Sequence, residues 1–293
     1  VKHSRGRAVP FFEVDVFGNA PFKGNPVAVV LQADELAESQ MQEIANWTNL
    51  SETTFVCEPT TRDADYRLRI FTTQSELPFA GHPTIGSAAA VLRHGLQPKT
   101  PGRLVQECAR GLVPLRLEGD RIFFELPEPE FSLPSESELA DALAALGVSR
   151  EAARNVSVVD VGAVWLTMQL GSAQDVISLV PDMELLARAT ERATGVTVFG
   201  LYEPGGPASV EVRSFVPGDG VPEDPVCGSG NGCVAAVIRR NGVLTDSPYV
   251  AAQGQALGRD GRIEVEFDSN GAIWLGGRAD VRVEGSIALE PQA

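Results

Sequence analysis

Four side chains in this 293-residue chain have the type and setting for proton chemistry: Glu52, His82, Asp224 and Cys227. Glu52 lies in Asn49-Leu-Ser-Glu-Thr-Thr-Phe55, where a helical pattern gives way to a β-branched run. An acid at such a junction can point into a cleft, partly desolvated, with its pKa raised towards the range of a general base. The competing reading is an ordinary solvated glutamate. His82, in Gly81-His-Pro-Thr84, stands beside a helix start, placed to hydrogen-bond a substrate or shuttle a proton. As a plain turn histidine it would bond only backbone. Asp224 precedes Pro225 and reads either as a helix-start cap or as a catalytic partner. With Glu223 it makes a paired acid suited to a substrate ammonium. Cys227 heads Cys-Gly-Ser-Gly-Asn-Gly at an expected helix N-terminus, where partial positive charge favours a thiolate. The alternative is a small buried cysteine. Cys57, Cys108 and Cys233 lack such a setting and, with Trp47, Trp165 and Trp274, are assigned to packing.

Two of these sites belong to a duplication. Leu77-Pro-Phe-Ala-Gly-His-Pro-Thr-Ile-Gly-Ser-Ala-Ala-Ala-Val-Leu-Arg-His-Gly95 recurs as Asp224-Pro-Val-Cys-Gly-Ser-Gly-Asn-Gly-Cys-Val-Ala-Ala-Val-Ile-Arg-Arg-Asn-Gly242, at a constant offset of 224 − 77 = 147 residues. Pro78 matches Pro225, Gly81 matches Gly228, Ala88-Ala89 match Ala235-Ala236, Arg93 matches Arg240, and Gly95 matches Gly242. The offset is half the chain length, as one fold duplicated end to end requires. Each copy offers a Gly-rich turn at a helix start, where backbone N–H groups can hold an anion. Two such turns facing each other make a pocket for a small acid. His82 falls on Ser229 and Cys227 on Ala80, so a symmetrical two-thiol mechanism has no second thiol.

The elements that must position these residues follow from periodicity. Strands are predicted at 11–17, 27–31, 53–56, 66–72, 103–117 and 121–126 in the first half. Helices are predicted at Ser39–Trp47, with Met41, Ile44 and Trp47 at helical spacing, and at Ser87–His94 after the first Gly-turn. Leu126-Pro-Glu-Pro-Glu-Phe-Ser-Leu-Pro134 is a break, since three prolines fit neither a helix interior nor a central strand. The second half repeats the pattern, with helices at 135–146, 183–194 and after the second Gly-turn. Its strands are predicted near 156–161, 165–170, 196–201, 210–215, 262–267 and 272–282. The result is an α+β fold of two pseudo-symmetric halves, each a curled, mostly antiparallel sheet around a central helix. The boundaries fall at 1–128 and 129–278, with the C-terminal strand 279–293 a candidate addition to the first half. The cleft between halves is the expected site.

Composition narrows the partners. Apolar residues make up 43% and charged residues 22%, a folded globular balance. The net charge of −15 disfavours nucleic acid and anionic membranes. Four cysteines are no disulfide framework, and the histidines at 3, 82 and 94 form no zinc pattern, so no metal site is expected. With no apolar run approaching a membrane span, a cytoplasmic soluble protein is expected.

Four blocks together resemble one family. Phe17-Gly-Asn-Ala-Pro-Phe-Lys-Gly-Asn-Pro-Val-Ala-Val29, Ser51-Glu-Thr-Thr-Phe55, Phe79-Ala-Gly-His-Pro-Thr-Ile-Gly86 and Glu223-Asp-Pro-Val-Cys-Gly-Ser229 are similar, in that order, to the phenazine-biosynthesis PhzF family. The resemblance covers nearly the whole chain. It implies the diaminopimelate epimerase fold, no cofactor, a homodimer, and isomerisation of the trans-2,3-dihydro-3-hydroxyanthranilate type. It puts the catalytic glutamate on Glu52, the site histidine on His82 and the site aspartate on Asp224. Gly81, His82, Cys227, Gly228 and Ser229 become substrate-binding positions, with Gly228-Ser229 N–H groups on the carboxylate. Cys227 departs from the family, which commonly carries Thr there, and leans towards the epimerase and racemase relatives of the fold. The leading expectation is therefore a proton-moving isomerase acting on a small carboxylate. The alternatives are a racemase or epimerase using Glu52 and Cys227, and a non-catalytic small-acid-binding protein.

Overall fold

The computed structural model describes residues 7–219, 221–244 and 247–289, which form two compact units. The first takes residues 7–16, 26–122 and 278–289, and the second takes 17–25 and 123–277.

The first unit is built from β1 (Arg7–Val16), β2 (Asn25–Val30) from Pro26 onward, α1 (Glu38–Thr48), β3 (Thr53–Cys57), β4 (Tyr66–Phe71), β5 (Glu76–Leu77), α2 (Gly81–Arg93), β6 (Arg103–Cys108), β7 (Gly111–Glu118) and the start of β8 (Arg121–Glu125), whose last three residues belong to the second unit. β3 runs parallel to β2, with Ala28 opposite Thr53, and antiparallel to β4, with Thr53 opposite Phe71. β4 takes β5 antiparallel and β6 parallel. The single strand expected over 103–117 is a hairpin of β6 and β7, because Ala109-Arg110 interrupts the apolar alternation. Met41 and Ala45 of α1 pack on Phe55 and Phe71, whose rings meet edge to face at 5.5 Å. Burying Met41, Phe55 or Phe71 contributes about 1.5–3 kcal/mol each. Trp47, expected in the core, is instead 78% exposed. At about 100° per residue it points away from Met41, whereas Ala45 shares Met41's face.

The second unit comprises β9 (Glu130–Ser132), α3 (Glu136–Leu146), β10 (Arg154–Asp160), β11 (Val164–Gln169), α4 (Ala173–Ile177), α5 (Met183–Ala189), β12 (Gly195–Leu201), β13 (Val210–Val216), β14 (Val221–Asp224), α6 (Gly228–Asn241), β15 (Tyr249–Gln253), β16 (Gly261–Phe267) and the start of β17 (Ile273–Leu289). α3 begins at Ser135 with a capping box to Glu138, buries Leu139, Leu143 and Leu146, and ends at Gly147. β12 is parallel to β11 and antiparallel to β13, and β13 takes β14 antiparallel and β15 parallel. This is the order of β2 to β6 over again, so the duplication extends to strand connectivity. From Arg278 onward β17 belongs to the first unit, where Val16 lies opposite Ala279 and Arg7 opposite Leu289.

The Gly-rich runs differ from expectation. They are not turns ahead of the helices but their first turns, since α2 starts at Gly81 and α6 at Gly228, 228 − 81 = 147 residues apart. Glycine is tolerated there because each helix is buried by its own unit. α2 packs on β1, β3 and β4, and α6 on β10, β11, β12 and β16. A Cβ on Gly86 would come within 2.3 Å of Val27 Cγ1, so only glycine lets α2 approach β2 this closely. Both units are α+β. Among the described residues, no helix is long and apolar enough to cross a membrane.

Candidate active site

In the first unit the site is built at the start of α2. α1 ends at Asn49, whose left-handed backbone (φ 56°) turns the chain towards β3. The parallel register of β3 on β2 then fixes Glu52 one residue before Thr53. Its side chain is 14% exposed, which excludes the solvated reading, and Oε2 lies 3.3 Å from His82 Nε2. His82 is the second residue of α2 and is buried. Burial pushes its pKa down to about 3, opposed by a hydrogen bond with the Pro26 backbone. Proline has no N–H, so that contact is an imidazole N–H donating to a carbonyl. The neutral ring thus turns an unprotonated Nε2 towards Glu52 Oε2, and the two atoms, 3.3 Å apart, bind one another only when one of them carries a proton. Such a pair can hold one proton and hand it over.

The second unit presents Asp224 at the end of β14. Asp224 is not the helix cap. Its Oδ1 accepts from Val226 N at 3.0 Å and from Asn25 Nδ2 at 2.9 Å, while Cys227 caps α6, its Sγ accepting from Gly230 N at 3.2 Å. Burial lifts Asp224 to about 6, with hydrogen bonds from the Cys227 thiol and Val226 N–H pulling down and the charge of Glu223 pushing up. Cys227 is 2% exposed, and burial, then the charge of Asp224, raises its pKa well above the usual thiol value. The thiolate expected from the helix N-terminus is therefore not favoured, because desolvation outweighs the dipole here.

The paired-acid reading also fails. Glu223 is engaged in a buried two-point ion pair with Arg213, at 2.8 Å for both bonds. The sequence missed Trp165, whose indole N–H donates to Ser229 Oγ at 3.1 Å although the ring is buried. Packing is thus only part of its role. Cys57 and Cys233 are buried as core, Cys108 is partly exposed, and all four cysteines are free.

Each helix leaves equivalent first-turn N–H groups outside its own ladder: Gly81 and His82 in α2, Gly228 and Ser229 in α6. Thr84 N already bonds Ala80 O, and Asn231 N bonds Cys227 O. A carboxylate is the natural ligand for such groups. Among the described residues, no three His, Cys, Asp or Glu side chains gather as a metal site.

The phenazine biosynthesis-like protein model, PhzC-PhzF, matches residues 14–288. The chain belongs to this family. A Schizosaccharomyces pombe protein named Antisense-enhancing sequence 1 is 42% identical over 290 residues, covering 94% of this chain and 97% of its own. The trans-2,3-dihydro-3-hydroxyanthranilate isomerase of Pseudomonas aeruginosa is 34% identical over 282 residues, covering 91% of this chain and 97% of its own. The crystal structure of a Bacillus anthracis PhzF-family phenazine biosynthesis protein matches 97% of this chain and all of its own, with a TM-score of 0.81 at 24% identity. Several curated PhzF relatives carry the isomerase name, and the chain is an isomerase.

Proposed function

We propose that this isomerase moves a proton within a small, cyclic amino or hydroxy acid bearing a carboxylate, with trans-2,3-dihydro-3-hydroxyanthranilate the first candidate. The observation that carries the reading is the Glu52–His82 pair at the start of a buried helix. Glu52 takes a proton from carbon and returns it elsewhere on the conjugated system, one carboxylate serving as base and then as acid. His82, with Nε2 towards Glu52, and Asp224 position the substrate or relay the proton. Gly81, Gly228 and Ser229, beside Cys227, supply N–H groups to the carboxylate and to charge that develops near it.

The reading extends to a cofactor-independent, homodimeric enzyme, as the family resemblance implies. It also takes 1–128 with 279–293, and 129–278, as pseudo-symmetric halves of the diaminopimelate epimerase type. The repeated strand order and the helix offset support that description.

Proton exchange in heavy water, followed by NMR, tests the function even where the product is unidentified. The candidate substrate and a panel of small amino and hydroxy acids are the probes. Wild type should exchange a carbon-bound proton, and Glu52→Gln should slow this by about 10²–10⁴-fold. Unimpaired exchange in Glu52→Gln sinks the assignment. Inversion at an α-carbon would favour the racemase instead, and tight binding without exchange the non-catalytic protein.

A further inference from the structure

Residues 17–25 follow β1 in sequence, yet they belong to the second unit. They are fastened there by backbone bonds from Asn19 N to Asp260 O (2.9 Å), Asp260 N to Lys23 O (2.9 Å) and Arg262 N to Phe17 O (2.8 Å). Side-chain bonds run from Asn19 to Asp260 and from Lys23 to the Gly258 carbonyl. The segment ends at Asn25, which is fully buried. Its Nδ2 donates to Asp224 Oδ1 at 2.9 Å and to the Val226 carbonyl at 3.1 Å. A carbonyl can only accept, and an ionised carboxylate likewise, so the amide has one sensible orientation.

We propose that Asn25 is a positioning residue for Asp224, holding Oδ1 so that the second carboxylate oxygen is presented in a fixed direction to substrate. Val226 N lands on the same Oδ1, so the carboxylate cannot rotate without losing both bonds. Gln253 holds the backbone beneath it. Its Nε2 donates to the Asp224 carbonyl at 2.9 Å, and its Oε1 accepts from Cys227 N at 3.1 Å and Asn231 Nδ2 at 2.7 Å.

The duplication separates what serves the fold from what serves Asp224. In the first unit Gln106 Nε2 donates to Thr84 Oγ1 at 3.0 Å, and Thr84 is the counterpart of Asn231 (84 + 147 = 231). A buried glutamine tied to the helix start is therefore common to both copies. Asp224 has Leu77 as its counterpart (224 − 147 = 77), so the asparagine–carboxylate clamp exists only in the copy that carries the acid. Around that acid stand Glu223, already paired with Arg213, and the thiol of Cys227.

The proposal rests on Asp224 belonging to the active site, and the test separates the two ideas. The full-length chain, ¹³C-labelled at aspartate carboxyls, is titrated by NMR with the Asp224 signal identified by its loss in Asp224→Asn. An N–H donor stabilises the ionised form, so Asn25→Ala should raise the Asp224 midpoint by about one pH unit. Asn25→Ser, too short to reach, should do the same and serves if the alanine variant does not fold. Exchange of trans-2,3-dihydro-3-hydroxyanthranilate protons should fall about tenfold in either variant. An unmoved midpoint in a folded variant overturns the proposal, as does a raised midpoint with exchange unchanged. Full exchange by Asp224→Asn would instead remove Asp224 from the site while leaving the titration result standing.

Discussion

Cys227→Ser separates the isomerase from the racemase most sharply. The sulfur accepts the Gly230 N–H as the N-cap of α6, lies 3.6 Å from Ser229 Oγ, and is 2% exposed. Burial and the neighbouring Asp224 charge keep the thiol neutral at ordinary pH, so it is poorly suited to trade protons with carbon. A serine hydroxyl can take over the cap, and serine is among the better capping residues. The variant should unfold within about 1 kcal/mol of wild type in urea and exchange protons within about threefold. Cys227→Ala removes the cap acceptor and leaves a small void, costing about 1–2 kcal/mol, with only a modest loss of activity. Were the thiol a catalytic acid or base, both variants would lose about 10²–10⁴-fold while remaining folded. Heavy-water exchange read beside urea midpoints distinguishes these outcomes. A folded Cys227→Ser protein that has lost most of its exchange refutes the argument from burial.

Two further outcomes concern what holds the second unit. Glu223→Leu strands Arg213, which also donates to the carbonyls of Val176 and Leu179, as a buried unpaired cation. It should lower unfolding free energy by about 3–5 kcal/mol in a denaturant titration, and a loss under about 1 kcal/mol would show the pair to be dispensable. Glu211, which accepts from the Tyr202 hydroxyl at 2.7 Å, is lifted to about 7, chiefly by burial, with Tyr202, Arg262 and Arg213 opposing and Asp260 adding to the lift. The folded state therefore binds the extra proton between about pH 4.5 and 7, so its contribution is present below that window and lost as pH rises through it. Glu211→Gln keeps an acceptor for Tyr202 and should stabilise the protein relative to wild type by about 2–3 kcal/mol above pH 7, but little near pH 4. Identical pH profiles for the two proteins would contradict the assignment.

Much of this was legible in the sequence because it was written twice. The 147-residue offset foretold both buried helices and the paired N–H groups at their starts. Glu52 was legible as a helix-to-strand junction, which the left-handed Asn49 produces. What stayed hidden depends on contacts distant along the chain. Glu223 is diverted to Arg213 by the β13–β14 register, and no local pattern announces that pairing. The neutral thiol of Cys227 follows from burial, which a helix-dipole argument cannot weigh. Asn25 reaches Asp224 across 199 residues of sequence, and Trp165 reaches Ser229 across 64.

The strand registers also show why an acid at the Glu52 position has no counterpart in the second copy. β5 and β14 match by the 147-residue offset, and their partners Phe71 and Phe215 carry the match to β4 and β13. Thr53 stands opposite Phe71 and Val196 opposite Phe215, so the counterpart of Glu52 is Gly195. A Cβ there would lie 2.0 Å from the Phe215 carbonyl oxygen and 3.1 Å from the Trp165 ring, so no side chain fits. The same Trp165 donates to Ser229, the counterpart of His82. Where one copy holds an acid against a histidine, the other fills the space with an indole bonded to a serine. A second base at the equivalent place would need the tryptophan and the backbone of β13 to move, which close packing resists. The duplication thus preserves a helix start that can hold a carboxylate in each unit, while a glutamate at the Glu52 position fits in only one.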